Sequence, residues 1–174
     1  IAVLADDSAD PAWVAADLLS QAEHGSGHEK ALLVTDSRTL AEAVSGELAR
    51  QTPMLSRAAM VERVIARGGI LLAVVPDLKQ GMELVNRFAP EHFEIMTRDA
   101  RSRLNGVRAA GAVFVGPWTP EAAGDFVAGP SHVLPTGGAA RMFSGLTGDD
   151  FRRRHSFVEF TREDLAETCG VIAT

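Results

Sequence analysis

A chain of 174 residues, 46% hydrophobic and with 16 glycines, has enough apolar side chain to bury a core and reads as one globular unit with at most a small appendage. Its formal net charge of -6 excludes the excess of clustered Lys and Arg that a nucleic-acid surface needs, and Arg152-Arg153-Arg154 is too short a run to supply it. Cys169 is the single cysteine, which rules out an intrachain disulfide, points to a reducing cytoplasmic setting and leaves any zinc to N and O ligands; no apolar run is long enough to span a bilayer.

Ile1 to Ala5 reads as a buried strand, followed by a helix that Asp10 caps and Pro11 opens, carrying Val14, Leu18 and Ala22 on one stripe and ending near His24 before Gly25 and Gly27. Ala31 to Thr35 is the second strand, and Asp36-Ser37 starts a helix to about Arg50. After Pro53 a further helix runs from about Leu55 to Ala66, with Met60, Val61, Val64 and Ile65 on its buried side. Ile70 to Val75 is a continuous apolar run of the kind a central parallel strand requires. Pro76-Asp77 begins the next helix, with Leu78, Met82, Val85 and Phe88 as its stripe, and Pro90 stops it. A strand from Phe93 to Thr97, a short helical piece ending at Asn105-Gly106 and a fifth strand from Ala112 to Gly116 follow. Thr119-Pro120-Glu121 reads as the start of a helix that carries Asp125. From Gly129 to about His155 the chain is rich in Gly and small residues, and a stretch of that length without clear elements is usually functional or packed against a partner. Ser156 to Thr161 reads as a strand and Arg162 onward as a helix, which together form a small strand-helix appendage. The boundary is drawn at residue 135, between an α/β sheet domain (1–135) and a loop with the appendage (136–174). Both ends read as cut from something longer: a buried strand opens the chain, and Val171-Ile172-Ala173-Thr174 leaves an apolar helical pattern uncapped.

Strand alternating with helix implies a mostly parallel sheet with right-handed crossovers, an incomplete Rossmann-like α/β fold. In that arrangement helix ends and strand starts share one edge. Glu91 and His92 sit side by side just after the helix-stopping Pro90, and both side chains are suited to general acid-base work near neutral pH. Gln21 and His24, three apart at a helix end, can present an amide oxygen and a ring nitrogen to one ion, or can be solvated. With Asp125 near the end of a third helix, all five are expected to face that edge, although ligands of open α/β sheets usually bind at the opposite one. No G-x-G-x-x-G, Walker A, G-x-S-x-G or H-E-x-x-H sequence is present.

Four blocks, in order along the chain, closely resemble the histidinol dehydrogenase family. They are Asp17-Leu18-Leu19-Ser20-Gln21-Ala22-Glu23-His24, Asn86-Arg87-Phe88-Ala89-Pro90-Glu91-His92-Phe93-Glu94, Gly124-Asp125-Phe126-Val127-Ala128-Gly129-Pro130-Ser131-His132-Val133-Leu134-Pro135-Thr136 and Phe143-Ser144-Gly145-Leu146. The resemblance implies a zinc- and NAD-dependent oxidation of L-histidinol to L-histidine through the aldehyde. By motif matching it makes Gln21, His24 and Asp125 zinc ligands, and Glu91 and His92 the acid-base pair. Gln21, His24, His92 and Asp125 would contact substrate, and His132, in the third block, would line the same pocket or be a purely structural imidazole. It also implies a homodimeric parent of more than twice this length, with NAD held by a segment outside this chain, so that the 174 residues alone are expected to lack turnover. Ser131 departs from the family's more frequent Asn. The competing expectation is a zinc- or imidazole-ligand-binding α/β module without redox activity.

Overall fold

The computed structural model describes residues 1–173; Thr174, the last residue of the apolar pattern read at the end of the sequence, lies outside the described residues. Five strands, β1 (Ala2–Ala5), β2 (Ala31–Thr35), β3 (Ile70–Val74), β4 (His92–Met96) and β5 (Ala112–Val115), form one sheet in the order β3-β2-β1-β4-β5. Every pairing is parallel, with Ala2 opposite both Leu32 and Phe93. This is the expected α/β fold, and its strand order, 3-2-1-4-5, is that of a doubly wound sheet without a sixth strand.

Both faces of the sheet are covered because the strands are apolar on both sides. Helices α1 (Pro11–Ala22), α2 (Arg38–Gln51) and α3 (Ala58–Ala66) pack Val14, Leu18, Val44, Leu48, Val61 and Val64 against Val3, Ala5 and Leu33. On the other face, α4 (Leu78–Phe88) and the short α5 (Ala100–Arg103) pack Leu78, Met82, Val85 and Ala100 against Ala2, Leu4, Val34, Phe93 and Ile95. Gly81 lets α4 approach closely, since a Cβ there would lie 2.9 Å from the Leu4 side chain. Helix starts are set locally: Asp10, Ser37 and Asp77 accept from the backbone N–H groups of Ala12 (2.8 Å), Leu40 (3.1 Å) and Gln80 (2.8 Å).

Four expectations need correction. Ile70–Val74 is an edge strand and not a central one, with Leu71 and Val74 exposed, because an apolar run records hydrophobic surroundings and not sheet order. The helix carrying Asp125, α6, covers only Ala123–Phe126. Thr119 does not cap it, since the Glu121 N–H is used by the Glu94 carboxyl and a turn closes from Ala123 N–H to the Pro120 carbonyl first. Helix α3 starts at Ala58, and Ile65 points to solvent. In the appendage the helix α7 (Arg162–Ile172) is present and is capped by Thr161, whose side chain accepts from Asp164 N–H at 3.1 Å. Ser156 to Thr161 pairs with no strand among the described residues and leaves Phe157, Val158 and Phe160 exposed.

Candidate functional site

The Glu91-His92 bend is built from both sides. Helix α4 ends because Ala89 adopts a left-handed conformation (φ 53°, ψ 64°) and returns its N–H to the Val85 carbonyl at 2.8 Å. Ala89 is the one non-glycine residue with positive φ among the described residues, and it is followed at once by Pro90, which cannot resume the helix. The carbonyls of Pro90 and Glu91 then accept from Gly111 (3.0 Å) and Ala112 (2.8 Å), so the bend is stitched to the start of β5. A Cβ on Gly111 would sit 2.6 Å from the Glu91 carbonyl oxygen, so this approach requires glycine. Behind the bend, the buried Asn86 side chain donates to the Gly106 carbonyl (2.9 Å) and accepts from Arg108 N–H (2.8 Å) and Ala109 N–H (3.2 Å).

His92 opens β4 and is 4% exposed. Its Nδ1 lies 3.5 Å from Glu121 Oε1, and its ring is tilted against Phe114 with centroids 6.0 Å apart. Glu121, itself 3% exposed, is held from two directions: the Ser20 hydroxyl donates to its Oε2 at 2.6 Å, and its own N–H donates to Glu94 Oε1 at 2.8 Å. Asp17 on α1 faces Glu94 in turn. Burial, with the nearby Asp17 and Glu121 charges, pushes the Glu94 carboxyl well above the usual carboxylate range. Burial also raises Asp17, by a smaller amount. None of Asp17, Glu94 and Glu121 is singled out by the sequence. One signal was there for Glu94: alternation along a strand puts His92 and Glu94 on the same face.

The sequence-derived candidates fall into two groups. Gln21 and Glu91 line one cavity of 390 Å³, beside Ser26, Glu29 and Lys30. His92 and Asp125 line a second, of 420 Å³, together with Phe114, Gly124, Pro130 and Ser131. The Glu91-His92 peptide contributes to both, and the Ser20 to Glu121 bond ties the end of α1 to the chain entering α6. His24 and His132 are exposed and line neither of these cavities.

Whether Gln21, His24 and Asp125 suit a zinc ion can be judged from their donors. The Nδ1 of His24 lies 3.1 Å from both the Ser20 and the Gln21 carbonyls, so it carries the proton and leaves Nε2 free, the tautomer a metal ligand needs. The Asp125 carboxylate is exposed and engages no hydrogen-bond donor among the described residues. Gln21 Oε1 accepts from the Ile1 nitrogen at 2.8 Å and keeps a second lone pair. These N and O donors fit zinc chemically. No three His, Cys, Asp or Glu side chains gather for a metal ion among the described residues, so a cation here would depend on the Gln21 oxygen and on donors beyond these three.

The chain is an α/β protein with a doubly wound parallel sheet, and the strand-start edge of that sheet carries a buried imidazole-carboxylate pair. Within that class the relationship is specific. The chain belongs to the histidinol dehydrogenase family, whose sequence profile matches residues 1–174. It is 48% identical over 170 residues to a histidinol dehydrogenase of Cutibacterium acnes (strain DSM 16379 / KPA171202), covering 96% of this chain and 38% of that one. It is 47% identical over 167 residues to one from Thermobifida fusca (strain YX), again 96% and 38%. The crystal structure of histidinol dehydrogenase from Elizabethkingia anophelis superposes with a TM-score of 0.90 at 30% identity, over 98% of this chain and 39% of that one. The chain thus spans under two fifths of the length of these relatives. No helix among the described residues is long and apolar enough to cross a membrane.

Proposed function

We propose that these residues form part of an enzyme that oxidises L-histidinol to L-histidine through the aldehyde, with two NAD consumed, in histidine biosynthesis. The observation that carries this reading is the buried His92 imidazole opening, beside Asp125, onto the 420 Å³ cavity, with Glu91 adjacent on a bend fixed by β5. In the first oxidation His92 takes the substrate hydroxyl proton, and NAD, when bound by a segment outside this chain, would supply the acceptor for the hydride. Glu91 then removes a proton from the water that adds to the aldehyde carbon, His92 returns its proton to the aldehyde oxygen to give the hydrate, and the neutral imidazole takes a hydroxyl proton of that hydrate in the second oxidation. Each such proton transfer is worth about 10² to 10⁴ in rate.

Gln21, His24 and Asp125 are the residues that would hold zinc, which when bound supplies a net positive charge to orient the substrate amine and imidazole and to polarise the hydroxyl. His132 is assigned to substrate contact in the same reading, and NAD to no residue of this chain. The complete enzyme is proposed to be a cytoplasmic homodimer, and residues 1–174 alone to lack turnover.

The test is His92→Ala in the full-length enzyme that carries this segment. The hydride-transfer rate should fall by about 10² to 10⁴ with zinc content unchanged. Wild-type turnover in that variant would remove His92 from the mechanism.

A further inference from the structure

We propose that Glu121 is the positioning residue of the site: its carboxylate receives the Nδ1–H of His92, fixes the imidazole as the Nδ1–H tautomer, and leaves Nε2 as the nitrogen that meets the substrate hydroxyl. The inference rests on the reading of His92 as the acid-base group and deepens it.

Four observations carry it. First, the His92 Nδ1 is buried and has no hydrogen-bond partner at full contact among the described residues, while Glu121 Oε1 stands 3.5 Å from it. A buried ring nitrogen without a partner costs free energy, and the acceptor nearest to it is this carboxylate. Second, both side chains are almost wholly removed from water, 5% and 4% exposed, so their interaction is not screened as a surface pair would be. Third, Glu121 is itself immobilised: Ser20 donates to the other carboxylate oxygen at 2.6 Å and the Glu121 N–H is anchored on Glu94 at 2.8 Å, which fixes the direction of Oε1. Fourth, His92 lines the 420 Å³ cavity and Glu121 does not. Glu121 therefore acts through the imidazole and not on the substrate.

A carboxylate accepts and cannot donate, so the nitrogen facing it must bear the proton. A separation of 3.5 Å is longer than a closed hydrogen bond, as is common for catalytic contacts before a substrate is in place. Phe114 flanks the ring, and Gly124 leaves room for it: a Cβ at Gly124 would lie 2.7 Å from the Phe114 ring. The imidazole thus has a tilted aromatic ring on one side and a carboxylate facing one nitrogen. A misassigned tautomer would present an N–H to the hydroxyl and could not take its proton.

The experiment combines kinetics and spectroscopy. In the full-length enzyme carrying this segment, Glu121→Gln is expected to lower kcat by about 10² to 10⁴ with KM changed less than about threefold, because the loss falls on the proton transfer and not on binding. Glu121→Asp, which keeps the charge, should recover part of kcat. The ¹⁵N shifts of the His92 ring, measured on the 174-residue chain, should report one Nδ1–H tautomer in the wild type and a mixture in Glu121→Gln. An unchanged tautomer and kcat in Glu121→Gln, while His92→Ala abolishes turnover, would overturn the role of Glu121 and leave that of His92 standing. Full activity of His92→Ala would instead sink the reading beneath it. If Glu121→Gln does not fold, Glu121→Asp carries the test: its carboxylate is drawn back from Nδ1, so wild-type kcat with an unaltered ring spectrum is the overturning result.

Discussion

The two edges of the sheet treat buried polar groups in opposite ways. At the edge where strands end, the Asp6 carboxylate accepts from Ser8 N–H (3.0 Å), the Ser8 hydroxyl and Arg98 N–H (3.0 Å), and the Thr35 hydroxyl accepts from Ser37 N–H at 3.0 Å. Burial alone would raise the Asp6 carboxyl, but the Ser8 and Arg98 donors outweigh it and hold it below the usual range. Among the described residues, the buried side-chain atoms without a partner are Glu29 Oε2 and His92 Nδ1 at the edge where strands begin, and Glu94 Oε2 two residues along β4. Open α/β sheets usually bind ligands at the first edge. Here Glu29 lies just before β2 and His92 opens β4, both at the second edge, while Glu94 is the middle residue of β4. A folded chain leaves buried groups unsatisfied where something else needs them, so the distribution of satisfaction locates the candidate site better than the fold class does.

The largest effect that would break this contrast comes from closing the space behind the bend. Gly111→Ala places a Cβ 2.6 Å from the Glu91 carbonyl oxygen and 3.0 Å from Pro135 Cδ, so either β5 or the bend must shift. Overpacking of this kind costs about 1–3 kcal/mol, to be read from the denaturation midpoint. Wild-type stability in that variant would show that the strand-start edge is looser than its hydrogen bonds imply.

Next in size is the pH response of the buried carboxyls. The folded chain holds the Glu94 proton more tightly than the unfolded chain does, mainly because burial disfavours the charge and then because Asp17 repels it. Its contribution is therefore present in full below the unfolded value of about 4.5 and is lost as pH rises toward about 9. One such group lowers stability by at most about 1.4 kcal/mol per pH unit across that window. Asp6 has the opposite sign: its stabilisation is present above its unfolded value and lost as acid protonates it. Glu94→Gln should match the wild type near pH 5, exceed it increasingly toward pH 8, and flatten the decline between. A wild-type stability that rises over that range would contradict the assignment.

The same contrast explains what the sequence disclosed. The alternation of strand and helix segments, the capped helix starts at Asp10, Ser37 and Asp77 and the stop at Pro90 are local facts, fixed by residues within a few positions of one another. The Glu91-His92 pair was legible for that reason. Glu121 was not: its partners Ser20 and Glu94 lie 101 and 27 residues away, and no spacing rule connects them. Ile70–Val74 misled because its composition reports apolar surroundings and carries no information on which strand stands at the edge. Thr119-Pro120-Glu121 misled because a start signal was overridden by a tertiary acceptor, Glu94, that takes the N–H a first turn would have used.

The smallest effect belongs to a contact that looks strong on distance alone. Arg98 and Asp7 meet at 2.7 Å at the strand-end edge, close to the Asp6 cluster, yet both side chains are largely solvated, at 65% and 63% exposure. Water and salt screen such a pair, and holding two side chains in one geometry offsets most of what remains. Asp7→Asn should leave the denaturation midpoint unchanged within error at 0.15 M salt, whereas Glu94→Gln at pH 8 should not. The difference depends on burial and not on distance: the Ser20–Glu121 contact at 2.6 Å and the Asp7–Arg98 contact at 2.7 Å are almost equally short, and only the first lies where a carboxylate has no water to turn to. A clear loss of stability in Asp7→Asn would mean that the strand-end edge also depends on an ion pair, and the contrast between the edges would narrow to the single unpartnered ring nitrogen of His92.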